Sequence, residues 1–287
     1  YNIMWRPGGG NYNDLDSREA VEKQIQTGRQ CAGLPEYVDE ICYELESCPY
    51  SPLKKSPVST ANEGILSICS GCSGVAWNVM PKRLSDAENI FNAIRSKTPF
   101  MELLSEKFKN GKNLGVYDGW HPQAQAAVPD FFSDYGGRYA EGMDEIDLLG
   151  IPRSYNLHKA SAFVLQGRQP LVFSDEEIKY ILSRGVYMDA DAADILCKMG
   201  FGKYIGFKKG DETVDDLSEV CLNHPLNKGI EGESRTCFSV FAKGKSYALI
   251  PEKGAAVISN IQDVDRNVKY PCAMGCFENE LGGRVAV

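Results

Sequence analysis

Between residues 38 and 94 the hydrophobic pattern switches repeatedly between a period of two and a helical period, and this constrains the fold more than any other feature. Val38 to Glu46 alternates through Ile41, Tyr43 and Leu45 and then meets Pro49, the pattern of a strand running into a loop. Ser59 to Cys69 carries Ala61, Ile65, Leu66 and Cys69 at helical spacing, and Gly71 or Gly74 can end that helix. Gly74 to Met80 reads as a buried strand. Ser85 and Glu88 then form a capping box for a helix that turns Ile90, Phe91 and Ile94 inward, and Pro99 predicts a break before a further amphipathic stretch, Phe100 to Phe108. A strand, a helix and a second strand make the unit of a parallel sheet, because parallel neighbours need a crossover between them.

A polar stretch, Lys109-Asn110-Gly111-Lys112-Asn113, precedes a short strand at Leu114 to Tyr117 and sets a domain boundary near 111. Beyond it Ala160 to Leu165 reads as a strand. Ser174-Asp-Glu-Glu177 reads as a capping box for a helix carrying Ile178, Ile181 and Leu182, closed by Arg184-Gly185. Val186 to Asp189 is the next strand and Asp191 to Met199 the next helix, with Gly200 as its left-handed stop. This alternation predicts a doubly wound sheet. From about 231 the helical period gives way to β-prone runs at Cys237 to Phe241, Ser246 to Ile250 and Ala255 to Ser259, with Lys243-Gly244-Lys245 as a hairpin turn. The expected organisation is thus 1–110, 111–230 and a β-rich 231–287.

Charge and composition exclude some partners. A net charge of -8 opposes the phosphate backbone, so no nucleic acid is expected. No apolar run reaches the roughly 18 to 20 residues that span a bilayer, so no membrane partner is expected either. The first residues, Tyr1-Asn2-Ile3-Met4-Trp5, lack the pattern of a signal peptide, and Gly282 to Val287 places a turn before a β-prone triplet; both ends read as cut from a longer protein. Ten cysteines include the pair Cys69-Ser-Gly-Cys72, whose spacing suits zinc or redox chemistry. Its only close companion is the four-apart pair Cys272 and Cys276, and His121, His158 and His224 are scattered, so neither a metal nor another cofactor is expected. Gly8-Gly9-Gly10 lacks the Lys-Ser/Thr partner of a phosphate loop.

Taken together, Tyr43-Glu-Leu-Glu-Ser-Cys-Pro49, the helix after it and Gly74-Val-Ala-Trp-Asn78 resemble the seventh and eighth strands of the TIM barrel in family 42 β-galactosidases. The runs Leu149-Gly-Ile-Pro152, Leu165-Gln-Gly167, Phe173-Ser-Asp-Glu-Glu177, Ser183-Arg-Gly-Val186 and Asp189-Ala-Asp-Ala-Ala193 resemble the flavodoxin-like, amidotransferase-like domain of the same proteins. The resemblance implies an α/β chain: a partial TIM-barrel segment, a flavodoxin-like doubly wound domain and a β-rich C-terminal segment. It implies a carbohydrate ligand and homo-oligomerisation through the flavodoxin-like domain. The family's nucleophilic glutamate ends a strand with a proline three residues later, which Glu46 and Pro49 match, while Ser47 stands where the family has glutamine. The family's acid/base carboxylate belongs to the fourth barrel strand, and this chain reads as starting near the sixth.

Retaining glycoside hydrolysis needs two carboxyl groups about 5 to 5.5 Å apart on opposite sides of the scissile bond. Glu44 and Glu46 lie on one strand face at a backbone spacing of about 6.5 to 7 Å, so they approach from the same wall and take different roles. Glu46, at the carboxyl end of its strand, is the candidate nucleophile, and Glu44 the candidate contact to sugar hydroxyls. Trp77 with Asn78, and Trp5 with Arg6, offer the aromatic and polar mixture that sugars bind. The plainer reading makes both glutamates solvated or ion-paired with Lys54 or Lys55, and the tryptophans core residues. Two functions follow: a glycoside hydrolase acting on β-linked sugars, completed by residues outside this chain, or a non-catalytic carbohydrate-binding or oligomerisation module.

Overall fold

The computed structural model describes residues 3–7, 14, 17–46, 54–79, 83–110, 114–121, 146, 149–213, 217–236 and 246–287. The chain divides into two compact units, one of Tyr1–Gly115 with Met143–Ala160 and one of Val116–Gly142 with Ser161–Val287.

The first unit is built from three successive β/α steps. Strands β1 (Met4–Trp5), β2 (Glu40–Glu46) and β3 (Gly74–Asn78) form a parallel sheet in that order, and helices α1 (Ser17–Ala32), α2 (Pro57–Cys69) and α3 (Leu84–Asn110) follow them in turn. The period of two read from the sequence shows directly in β2. Tyr43 and Leu45 are buried, and with Cys72, Val79 and Ile90 they form the core of this unit, packed by Ile41, Val75, Trp77 and Ile94. Helix α2 begins where Ser56 caps it, its hydroxyl accepting the Ser59 N–H at 3.1 Å.

Helix α3 departs from expectation. It starts at Leu84, one residue ahead of the predicted cap at Ser85, and it runs through Pro99 as one helix of 27 residues. Proline removes a single backbone donor. The turn before it gains side-chain bonds, Ser96 and Thr98 donating to the carbonyls of Ala93 and Ile94 at 2.7 and 3.0 Å. Ile90 and Met101, on either side of Pro99, are both buried, so packing holds each half of the helix.

The second unit opens with β4 (Val116–Tyr117); the chain then returns to the first unit for β5 (Arg153–Ser154) before the rest of the second unit is laid down. There β6 (Ala162–Leu165), α4 (Asp175–Leu182) and β7 (Gly185–Met188) make a parallel β-α-β step, followed by α5 (Ala190–Leu196). The capping box at Ser174 is present as read, with Glu177 accepting the Ser174 N–H at 2.8 Å, and Ile178, Ile181 and Leu182 are buried. Gly200 has φ 94 and stops the helical path after α5, a conformation a side chain would strain.

Later strands are β8 (Phe207–Glu212), β9 (Ser218–Cys221), β10 (Ser234–Thr236), β11 (Tyr247–Pro251), β12 (Ala256–Gln262), β13 (Val268–Glu278) and β14 (Arg284–Ala286). The alternation of β and α signals predicts a doubly wound parallel sheet; the sheet is mixed. Parallel β4, β6, β7 and β14 lie side by side in the order β14-β7-β6-β4, and β13, β12, β9 and β10 extend it antiparallel beyond β14. Strands β8 and β11 pair separately. The predicted strand at Cys237–Phe241 and the turn at 243–245 lie outside the described residues.

One side chain seats β14. Buried Asn279 donates to the carbonyls of Leu182 and Tyr204 at 2.9 and 3.2 Å and accepts the N–H groups of Leu281 and Gly283 at 3.0 and 3.1 Å. The turn between β13 and β14 is thereby tied to the end of α4. Replacing the cap, Ser174→Ala, is expected to cost about 1 kcal/mol, with Ser174→Asp retaining most of it. The loss is read as a lower urea midpoint and faster amide exchange in the first turn of α4.

Candidate functional site at the ends of the parallel strands

The carboxyl ends of β1, β2 and β3 gather four of the side chains singled out in the sequence. Parallel register sets Glu46 beside Asn78, and the Asn78 amide donates to a Glu46 carboxylate oxygen at 3.0 Å. Two residues earlier on the same face, Glu44 accepts from the Arg6 guanidinium at 2.7 Å. Arg6 follows β1, whose path is fixed to β2 where the Glu44 N–H reaches the Pro7 carbonyl. Both glutamates are half-buried, while Arg6 and Asn78 are exposed.

The tryptophans do not join them. Leu45 pairs in register with Trp77, and Ile41 with Trp5, so strand alternation sets both indoles on the face opposite Glu44 and Glu46. Trp77 packs against the core, its ring so close to α2 that a methyl group on Gly64 would sit 2.4 Å from it. Trp5 is 45 % exposed. Adjacent strand residues such as Trp77 and Asn78 cannot share one face, which the pairing of an aromatic with a polar neighbour in the sequence overlooks.

Behind the glutamates lies a polar cluster that sequence reading missed. Lys55 and Glu63 form an ion pair whose side chains are 1 % and 6 % exposed, and Tyr43 donates its hydroxyl to the same carboxylate. Lys55 also donates to the backbone carbonyl of Glu46 at 2.9 Å. The lysine considered as an ion-pair partner for the Glu46 side chain therefore bonds its main chain instead and fixes the strand end beneath it. A signal was present in α2, where Thr60, Glu63 and Ser67 place polar atoms at helical spacing on a buried stripe.

Lys23 on α1 belongs to this cluster. Its amine is buried with no hydrogen-bond partner among the described residues and lies 5.2 Å from the centre of the Tyr43 ring. Burial brings its pKa down from 10.5 to about 8, against the opposing pull of Glu63. Burial and the charge of Glu63 push the Tyr43 phenol well above its ordinary value.

A cavity lies elsewhere. The second unit holds a cleft of about 380 Å³ lined by Tyr187, Asp189, Asp191, Glu219 and Tyr247 among others. Burial raises the pKa of Asp189, but its oxygens are bound by the N–H groups of Gly167 and Ala192, where it caps α5. Asp191 pairs with Lys209 at 2.5 Å, and Glu219 accepts from Ser259. These carboxylates are engaged in holding the fold, which leaves the strand-end group of the first unit as the candidate site. Among the described residues no three His, Cys, Asp or Glu side chains are placed to hold a metal ion, and no helix is long and apolar enough to cross a membrane.

The path of the chain is similar to that of a solved enzyme. The α-L-fucosidase isoenzyme 2 of Paenibacillus thiaminolyticus superposes with a TM-score of 0.51 over 86 % of this chain at 10 % identity. The chain spans 40 % of that enzyme's length. No family model and no curated protein sequence matches the chain. At 10 % identity this likeness is one of fold alone, and it does not reach the family named from the sequence.

The lysine yields a pH test. Between pH 8 and 10.5 the unfolded chain holds a proton that folded Lys23 has lost, so this group makes stability rise with pH through that window. Lys23→Met is expected to be more stable than the parent near neutral pH. The gap should narrow as pH climbs past 8, measured by urea unfolding of both proteins across the series.

Proposed function

We propose that this chain is part of a retaining glycoside hydrolase in which Glu46 is the nucleophile. The observation that carries the reading is the Asn78–Glu46 contact of 3.0 Å at the carboxyl ends of two parallel strands, where barrel enzymes keep their chemistry. One Glu46 oxygen is held by Asn78, and the other is the attacking atom. It adds to the anomeric carbon as the leaving oxygen takes a proton from an acid. The resulting glycosyl ester is then opened by water, with the same acid acting as base. Lys55 anchors the strand end from behind, so the carboxylate keeps its position during attack.

Arg6 and Glu44, already paired to one another, offer a donor and an acceptor for sugar hydroxyls on the same wall. The acid is assigned, by the resemblance, to a barrel strand outside these residues. Turnover is accordingly expected of a protein that carries that strand and not of these residues alone. The substrate class is β-linked sugars, and the partial barrel followed by a flavodoxin-like domain is the arrangement this reading supposes.

The test is steady-state kinetics of the parent protein on nitrophenyl glycosides. Glu46→Gln should lower kcat about a thousandfold or more, whereas Glu44→Gln should act mainly through KM. Partial return of activity to Glu46→Gly with added azide would identify the nucleophile. Undiminished turnover in Glu46→Gln would remove the assignment.

One observation favours a second reading, a non-catalytic carbohydrate-binding or oligomerisation module. On α3, Phe100 and Leu103, three residues apart and so on one side of the helix, are both exposed, and this is the apolar pair that the reading has another chain cover. This reading predicts concentration-dependent self-association by light scattering, abolished by the pair Phe100→Lys and Leu103→Lys. Association that survives this pair but is lost on substitution in the second unit would assign assembly to the flavodoxin-like domain instead.

A further inference from the structure

The spacing of Cys69 and Cys72 draws the eye in the sequence, yet the fold gives Cys72 a different neighbour. Cys31, in the last turn of α1, has its sulfur 3.8 Å from that of Cys72. The two are 41 residues apart in the chain. Cys72 is buried and Cys31 only partly so.

The backbones on both sides are fixed. At the end of α2 the Ser70 hydroxyl donates to the Gln24 carbonyl of α1 at 3.2 Å and to the Leu66 carbonyl at 2.9 Å. Gly71 then turns the chain with φ +108, passing so near α1 that a Cβ on it would lie 3.4 Å from the Cys31 Cβ. The Cys72 N–H bonds back to Ser67 at 3.1 Å. A disulfide needs the sulfurs at ~2.05 Å, so they have to close from 3.8 Å between backbones held by these contacts.

We propose that Cys31 and Cys72 form a thiol–disulfide site, closed by a small-molecule disulfide such as oxidised glutathione, which staples α1 to the start of β3. The Cys31 thiolate attacks one sulfur of glutathione disulfide. That S–S bond breaks, a Cys31–glutathione bond forms, and one glutathione leaves as a thiolate that takes up the proton Cys31 gave. Cys72 then loses its proton to solvent and its thiolate attacks the Cys31 sulfur, expelling the second glutathione. Two protein thiols are oxidised and one glutathione disulfide is reduced to two thiols.

The order of attack follows from the surroundings. Cys31 is the more accessible sulfur, and its hydrogen bond with Cys72 lowers its pKa, while that same bond and burial raise the pKa of Cys72. Burial also raises the pKa of the Cys69 thiol on α2. This site is independent of the role assigned to Glu46.

The experiment incubates the full chain in a glutathione redox series, blocks free thiols with iodoacetamide at each potential, and maps linked peptides by mass spectrometry. The expected result is a Cys31–Cys72 link that forms in wild type and in Cys69→Ser, with two fewer titratable thiols and a melting temperature higher by about 5 °C or more. In Cys72→Ser, Cys31 should accumulate as the mixed disulfide with glutathione. A Cys69–Cys72 link, or Cys31 and Cys72 both alkylated in folded wild-type protein under fully oxidised glutathione, would overturn the proposal. The peptide map uses the unmodified chain, so a variant that fails to fold leaves the test intact.

Discussion

The register of β2 against β3 is the constraint on which the rest of the site depends. In a parallel pair a shift of one residue would exchange faces, sending Tyr43 and Leu45 outward and the two glutamates into the helices. The buried cluster of Tyr43, Leu45, Cys72, Val79 and Ile90 forbids that shift, because its apolar area is removed from water only in the register that also sets Glu46 beside Asn78. The chemistry of the exposed face is thus fixed by packing on the hidden one.

A second layer of the same argument runs through charges. Lys55 and Glu63 are buried together, and a buried pair of this kind is held by geometry and additional hydrogen bonds more than by attraction alone. Here the additional bonds go to Tyr43 and to the main chain of Glu46, so the pair couples the start of α2 to the end of β2. Lys23 beside them gives up part of its affinity for a proton to remain buried. A polar cluster that costs stability yet ties a strand end in place is consistent with that end having a task.

Much of this was legible in the sequence, and the parts that were not have physical reasons. The alternation in β2, the helical stripe of α2 and the capping box at Ser174 are local patterns, set by near neighbours in the chain, and the structure shows each of them. Pro99 misled because a proline costs one backbone bond, which burial of Ile90 and Met101 on either side outweighs. The mixed sheet was hidden because strand direction is set by tertiary pairing: β14 lies parallel to β7, and the turn before it is tied by Asn279 to Leu182, nearly a hundred positions away. The structure brings Glu44, Glu46, Arg6 and Asn78 together, and these four were singled out by type and position. Their company was not, since Trp5 and Trp77 belong to the opposite face and Lys23, Tyr43, Lys55 and Glu63 meet only once α1 and α2 fold back.

The role proposed for Glu46 is a matter of chemistry, to be tested at the atom. Trapping the covalent intermediate does so most directly. The parent protein is treated with a 2-deoxy-2-fluoro glycosyl fluoride, which slows hydrolysis of the ester more than its formation, and the labelled peptide is sequenced by mass spectrometry. The account predicts one fluorosugar per chain, attached to Glu46 and discharged by a sugar acceptor. A label on another carboxylate, or full turnover of substrate with no ester ever trapped, would contradict it.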